Sequence, residues 1–241
     1  MNAMPRVAVI LPAAGRSTRF GPAGKKVFAE LGGRPVWLRA AELFLARPDV
    51  IQCLVVTAPE DRDRFAATGR VQFADGGAER FESVANALAL TTPEADLVAV
   101  HDAARPCTPP EMIDAVFARA AETGAALLAV RVADTLKRDD GAGRVAATVP
   151  RGDLWLAQTP QVFRRDWLLD AYARRALLGA GITDDAQLVE AAGHAVHLVP
   201  GSAANGKITT PEDLNLAAAI LRARVEGGHD GSAARSARPS S

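Results

Sequence analysis

Short apolar runs rich in β-branched residues fall at 7–11, 51–57, 71–74, 97–101 and 127–132, and each has the length and composition of a buried strand. Between them, at 35–46, 59–67, 80–90 and 109–122, apolar residues recur at three- and four-residue intervals. Several of these stretches open on proline, which suits the first turn of a helix, where the missing N–H would have no partner anyway. Strand and helix in alternation predict an α/β fold: a mostly parallel sheet flanked by helices on both faces. In such sheets ligands bind beyond the carboxyl ends of the strands, so the chemistry is expected in the segments that follow strands.

The rhythm breaks after Val132. Residues 133–151 are polar and carry Gly141, Ala142 and Gly143 between two short extended stretches, which predicts a protruding β-hairpin arm. A lone hairpin is marginal in water and packs on something, often a second copy of the chain. The regular pattern resumes with a strand at 154–158, helices at 164–178 and 185–192, and a last helix at 211–225. Residues 226–241 are rich in Gly, Ser, Ala and Arg with almost nothing to bury, and read as a disordered tail. The expected organisation is a single domain over 1–225 with the arm at 133–151.

Composition then removes several functions. With 241 residues, about half of them apolar, the chain can bury a sizeable core. Its 28 Lys and Arg balance 28 Asp and Glu, so no global field draws it to nucleic acid or an anionic membrane, and any anion site must be local. Cys53 and Cys107 belong to no CxxC pair or Cys/His cluster, which argues against a protein-bound metal or a disulfide. The apolar run at 7–11 is too short for a signal peptide and leads straight into a polar loop. No segment approaches the ~20 apolar residues a membrane span needs, and the cytoplasm is the expected compartment.

The loop after the first run, 11–26, is the most informative stretch. Pro12, Ala13, Ala14 and Gly15 let the backbone approach a ligand closely, exposed amides can hold phosphate oxygens, and Arg19 and Lys26 bring positive charge to the same place. A triphosphate fits this combination. A Walker loop does not, because Arg19 and Lys26 hold positions that it reserves for glycine and for Ser or Thr; a dinucleotide fingerprint starting at Gly15 would need glycine at Ser17. On the loop alone, a plain glycine-rich turn with solvated cations competes.

Further motifs follow in order: Gly76-Gly77 with Arg80 and Ser83-Val84; His101-Asp102-Ala103-Ala104-Arg105-Pro106; Asp134-Thr135 with Lys137; Thr159-Pro160-Gln161; Thr183-Asp184-Asp185; and Asn205-Gly206-Lys207-Ile208-Thr209 ahead of Pro211-Glu212-Asp213-Leu214. Over residues 6–222 the series resembles the 2-C-methyl-D-erythritol 4-phosphate cytidylyltransferases, within the nucleotidyltransferase superfamily of Rossmann-like fold. The resemblance implies transfer of CMP from CTP to 2-C-methyl-D-erythritol 4-phosphate, with pyrophosphate released, in non-mevalonate isoprenoid biosynthesis. It implies Mg²⁺, held mainly by the CTP phosphates. Arg19 and Lys26 match the residues that stabilise the transition state, Lys26 rather than Lys25 because the following Leu31-Gly32-Gly33 sets the register. Pro12, Ala13, Ala14, Gly15, Gly77, Ser83, Asp102 and Ala103 match CTP-binding positions. Asp102, Arg105, Thr135, Arg151, Thr159 and Lys207 match substrate-binding positions, with Arg151 and Lys207 counted as catalytic. The arm implies a homodimer in which Thr135 and Arg151 serve the neighbour's pocket.

Plainer readings stand beside these: an Asp102–Arg105 ion pair that merely caps its loop, solvated cations at Arg151 and Lys207, and a packing role for His101. The chain departs from the family pattern at Ser17, usually glycine, and at Ala78 and Ala204, often acidic. A ribitol 5-phosphate cytidylyltransferase, a nucleotidyltransferase for another base and a non-catalytic nucleotide-binding regulator are the alternatives.

Overall fold

The computed structural model describes residues 4–15, 17–65, 69–175 and 182–233. Its strands are β1 (Val7–Pro12), β2 (Glu30–Leu31), β3 (Arg34–Pro35), β4 (Val50–Thr57), β5 (Gln72–Asp75), β6 (Leu97–Val100), β7 (Ala125–Arg131), β8 (Leu136–Asp139), β9 (Val145–Val149), β10 (Trp155–Arg164) and β11 (His197–Pro200). The helices are α1 (Val36–Leu45), α2 (Arg80–Ala89), α3 (Pro110–Thr123), α4 (Arg165–Ala173), α5 (Asp185–Ala191) and α6 (Pro211–Ala233). Seven strands form one sheet in the order β11-β7-β10-β6-β1-β4-β5. It is the expected mostly parallel sheet: every pairing is parallel except those of β10, which runs antiparallel between β6 and β7.

Both faces of the sheet are covered, which explains why β1 reads as an unbroken apolar run rather than an alternation. Val7, Val9 and Leu11 pack with Trp37 and Phe44 of α1 and Phe117 of α3, while Ala8 and Ile10 pack on the other side with Val84 and Leu88 of α2. A smaller cluster joins Phe20 of the first loop, Ala104 and Cys107 after β6, and Ile208 and Ala217 at the last helix. Segments far apart in sequence are thereby fastened at one sheet edge.

Because β1, β4, β5 and β6 are parallel, the loops that follow them all leave from that edge. β10 reaches it from the opposite direction. Its Gln161 sits opposite Val100, so Thr159 lies beyond the end of β6, level with the loop that begins at His101. The β10–β7 register shifts between Ala157 and Gln161, a local irregularity of the kind that re-aims side chains beside a site.

The structure corrects five expectations. Residues Pro59–Phe65 form a 3₁₀ helix instead of the start of an α-helix, its entry closed by the tighter i→i+3 bond from the Asp61 amide to Ala58 O at 3.0 Å; positions 66–67 of that expected helix lie outside the described residues. The edge strand β11 is only four residues long, offers little periodicity and was not expected. The resumed strand is β10, ten residues instead of the five expected. Helix α6 continues to Ala233, past the limit set at 225, because extending a formed helix fixes one residue at a time and needs no new nucleus; residues 234–241 of the expected tail lie outside the described residues. Of the helix expected at 164–178, α4 covers Arg165–Ala173 and ends there, and positions 176–178 lie outside the described residues. The arm takes the expected form: β8 and β9 pair as a separate antiparallel ribbon, its tip closed by Asp139 and Asp140, whose carboxylates accept the amides of Gly141, Ala142, Gly143 and Arg144.

Gly124 turns the chain from α3 into β7 with φ of 90°, and a Cβ there would lie 2.3 Å from the Trp167 ring. Gly124→Ala therefore combines left-handed backbone strain with a steric overlap, and should lower unfolding stability by about 2 kcal/mol or more in urea titrations. Part of that loss should return in a Trp167→Ala background.

Candidate active site

The loops at the sheet edge enclose a cleft of about 440 Å³ lined by Pro12, Ala13, Ala14, Gly15, Gly77, Ser83, Asp102, Ala103, Lys26 and Lys207 among others. All eight positions read as CTP-binding are therefore brought together here, with two of the four cations read as catalytic. One wall is the loop after β1. The Ala13 amide donates to Val56 O at 2.8 Å, which anchors the loop's start on β4. Further on, Ser17 takes a left-handed conformation, φ 55°, that costs a residue with a Cβ about 1 kcal/mol. Its hydroxyl accepts the Lys26 amide at 3.2 Å, a contact glycine cannot make, so the Ser17 departure brings its own tie across the loop.

The opposite wall is the turn between β5 and α2. A Cβ on Gly76 would lie 2.6 Å from Ala14 Cβ, so the two walls meet only because this residue is glycine. The Gly77 amide donates to Ser83 Oγ at 3.0 Å, and the Ser83 hydroxyl donates to Glu79 O at 3.2 Å. Glu79 and Glu82 close a reciprocal capping box that starts α2. Arg80, in the first turn, reaches Asp185 Oδ2 at 2.7 Å; Asp185 is buried and also accepts the Tyr172 hydroxyl at 2.5 Å. The neighbouring Asp184 caps α5 and holds Gln161. The Thr183-Asp184-Asp185 motif thus locks α2 against the sheet.

Between the walls lies Asp102, 8% exposed. Lys207 Nζ is 3.0 Å and Arg105 Nε 3.3 Å from its Oδ2. Burial alone would raise the carboxyl's pKa; the charges of Lys207, Arg105 and Arg80 outweigh burial and hold it well below the usual carboxylate range. Lys26 is driven the other way. Burial first, then the adjacent Lys207 and Arg19 charges, bring its ammonium down to about 8, with Asp102 and Asp213 opposing. Lys25 also lines the cleft, but its ammonium is tied to Asp61, with Glu60 at 3.9 Å.

Behind Asp102 runs a chain of polar contacts whose directions are fixed by a backbone carbonyl. Arg105 O can only accept, so His101 Nε2, 3.0 Å away, carries the proton. Nδ1 then accepts from Thr159 Oγ1 at 3.2 Å, and that hydroxyl accepts the Asp102 amide at 3.0 Å. Burial also lowers His101 to about 4, which keeps it neutral. It is the packing histidine expected, with Phe44 at 5.0 Å between ring centroids.

Not every substrate-binding position reaches the cleft. Thr159 is buried and its hydroxyl is fully engaged behind Asp102; Arg105 spends its guanidinium on Asp102 and on Asn205 O at 2.7 Å. Both hold the loop that carries Asp102, and neither is among the residues that line the cleft. Thr135 and Arg151 stand exposed beside the arm and line no part of the cleft. Arg19 is exposed outside the lining, close enough for its charge to act on Lys26. Sequence reasoning missed Lys25, Glu60 and Glu79 as lining residues, and it did not see what Asn205 does. Adjacent charge in the loop signalled the first of these; the other three carry no local pattern.

Backbone amides facing cations across the carboxyl edge of a parallel sheet suit a nucleoside triphosphate, and the class is that of the nucleotidyltransferases. A family model described as IspD, 2-C-methyl-D-erythritol 4-phosphate cytidylyltransferase, matches residues 7–223. Proteins of that name from Rhodopirellula baltica and Frankia casuarinae are each 46% identical, the first over 92% of this chain and 97% of its own length, the second over 95% and 85%. The crystal structure of 2-C-methyl-D-erythritol 4-phosphate cytidylyltransferase from Thermus thermophilus superimposes with a TM-score of 0.73 at 35% identity, over 88% of this chain and 98% of that one. The chain belongs to the 2-C-methyl-D-erythritol 4-phosphate cytidylyltransferase family.

The Lys26 environment can be read directly. With ¹³Cε-labelled lysine, one resonance should titrate near pH 8 in the ligand-free protein and vanish in Lys26→Met. Because its folded pKa lies below the unfolded 10.5, the charged lysine disfavours folding up to about pH 8, and that penalty is relieved as pH rises from 8 to 10.5. Lys26→Met should remove this contribution to the pH dependence of unfolding.

Proposed function

We propose that the chain transfers CMP from CTP to 2-C-methyl-D-erythritol 4-phosphate and releases pyrophosphate, a step of non-mevalonate isoprenoid biosynthesis. The observation that carries this reading is the pair Lys26 and Lys207, like charges brought together at one cleft although each disfavours the other. A site that tolerates this repulsion when empty is organised for a ligand of several negative charges, and the charge is there before the reaction begins.

The acceptor's phosphate oxygen, already ionised at neutral pH, attacks the α-phosphorus of CTP. The new O–P bond forms as the bond to the β-phosphate oxygen breaks, and the electron pair leaves with pyrophosphate. No strong base is required, which agrees with a neutral, buried His101. The amides and small side chains of Pro12, Ala13, Ala14 and Gly15 hold the triphosphate, Gly77 and Ser83 face the base, and Asp102 and Ala103 meet the ribose. Lys26 and Arg19 offset charge growing on the phosphates, and Lys207 holds the incoming phosphate. The cleft lining offers single carboxylates at Asp102, Glu60 and Glu79, and the described residues contain no cluster of His, Cys, Asp and Glu that would grip an ion by itself. This donor set fits a Mg²⁺ carried mainly by the CTP phosphates, with Asp102 the carboxylate at the middle of the cleft; bound there, the ion would neutralise phosphate charge.

Thr135 and Arg151 would complete the pocket of a second copy in a homodimer joined through the arm, a reading supported by their exposure away from their own cleft. No described helix is long and apolar enough to cross a membrane, and with balanced charge neither membrane nor nucleic acid is a proposed partner. The proposed compartment is the cytoplasm. Ribitol 5-phosphate as acceptor, another base and a regulator without catalysis find no support in the relatives cited, which are named for the methylerythritol phosphate reaction.

Pyrophosphate release with Mg²⁺ and CTP tests the reaction. Methylerythritol 4-phosphate should support turnover, ribitol 5-phosphate should not, and preference for ribitol phosphate would move the substrate. Arg19→Ala and Lys26→Ala should each lower kcat by about a hundredfold or more. Wild-type turnover in Lys26→Ala would hand its role to Lys25. In the wild type, kcat/KM for CTP should fall as pH rises through about 8, because the free enzyme loses the Lys26 charge. Sedimentation equilibrium should give a dimer, and a monomer at working concentration would overturn the shared pocket.

A further inference from the structure

Asn205 is 0% exposed, and the reaction calls for no amide at its position. Its side-chain nitrogen donates to Gln158 Oε1 at 3.2 Å and Thr159 O at 2.9 Å. Its Oδ1 accepts from Thr108 Oγ1 at 2.8 Å, and its backbone oxygen accepts from Arg105 Nη1 at 2.7 Å. Three separate segments meet on this residue: the loop after β6, the irregular part of β10 and the loop after β11. Each ends in the cleft or directly behind it, at Asp102, Thr159 and Lys207 respectively.

The demand is specific for asparagine. Both amide hydrogens are used on oxygens that can only accept here, and the carbonyl is used on a hydroxyl. An aspartate would set an acceptor against two acceptors, and an aliphatic side chain would leave Gln158 Oε1, Thr159 O and the Thr108 hydroxyl short of a partner in the interior. The Gln158 side chain is itself fastened, its nitrogen donating to Ser202 O at 2.8 Å on the same loop as Asn205.

We infer that Asn205 is a positioning residue for Lys207: it fixes the loop from which Lys207 reaches Asp102, and so sets where the acceptor phosphate is held and how close the Lys207 charge stands to Lys26. The acceptor part of this inference rests on the proposed reaction; the placement of Lys207 does not. A residue that only stabilised the fold would change the folded fraction and leave the cations of the remaining folded molecules in place.

The chain has four lysines, Lys25, Lys26, Lys137 and Lys207, so ¹³Cε-lysine NMR resolves them individually without any substrate. Lys26 serves as the reporter. The groups that act on it are Lys207, Asp102, Arg19 and Asp213, and removal of Lys207 in Lys207→Met should move its titration from about 8 toward 10.5. Asn205→Ala should move it the same way, and the double variant should go no further than Lys207→Met alone. In kinetics, Asn205→Ala should lower kcat/KM for the acceptor phosphate by about tenfold or more, with KM for CTP little changed. If Asn205→Ala does not fold, Thr108→Val removes one of the same bonds, and Thr108→Ser should restore the wild-type values. A Lys26 titration that stays at the wild-type value in folded Asn205→Ala, or in Thr108→Val, overturns the inference. Wild-type protein without turnover would sink the proposed reaction instead, and the Lys26 titration would still decide the placement of Lys207.

Discussion

A carboxylate taken out of water is the constraint around which this site is arranged. Burying an isolated charge costs several kcal/mol, and only close, well-oriented partners offset it. Asp102 has Lys207 and Arg105 on one oxygen, with the Arg80 charge nearby, and each of the two arginines is fixed by something else. Arg105 is held by Asn205 O and Arg80 by the buried Asp185. Loosening any one leaves Asp102 less well compensated, so the loops after β6 and β11 and the first turn of α2 are coupled through a single acid.

That coupling explains the division of labour among side chains that look equivalent on paper. Arg105 and Thr159 sit in motifs that resemble substrate contacts, and both bond to Asp102 and so hold the loop that presents it. Lys207 faces forward with 39% of its side chain exposed, free to meet a ligand while still in reach of Asp102. Groups that do chemistry must leave their resting partners, whereas groups that hold them must not. The buried network behind Asp102, with its proton directions dictated by one carbonyl, is rigid for that reason.

Much of this was legible in the chain itself, where structure is local. The strands of the parallel core announce themselves because both of their faces are buried, and the phosphate loop because small residues and cations follow such a strand directly. All eight positions assigned to CTP line one cleft. What stayed hidden depends on pairing at long range. Nothing near 155–164 indicates that this strand runs against its neighbours, yet that reversal is what brings Thr159 behind Asp102. Arg105 was open to two readings because an ion pair three residues away and a ligand contact use the same guanidinium. Asn205 is a short polar residue in a loop, and only the folded state reveals that three segments converge on it.

Adjacent lysines in the first loop show how far the environment, and not the residue type, sets the role. Lys25 is bound to Asp61 beneath the 3₁₀ turn at Pro59–Phe65, so its charge is answered within the protein and its main effect is to draw the loop toward β4's end. Lys26 has the opposite surroundings: burial withholds water from its charge, Lys207 and Arg19 repel it, and Asp102 and Asp213 offset this only in part. The first lysine contributes to a closed structure, and the second stores a cost that an incoming anion relieves. Proteins accept such local destabilisation where function needs it, and the double-sided packing of the sheet supplies the stability that makes it tolerable. The same sequence pair, Lys-Lys, therefore serves as an anchor and as an unsatisfied charge, and the difference is the carboxylate that reaches one and not the other.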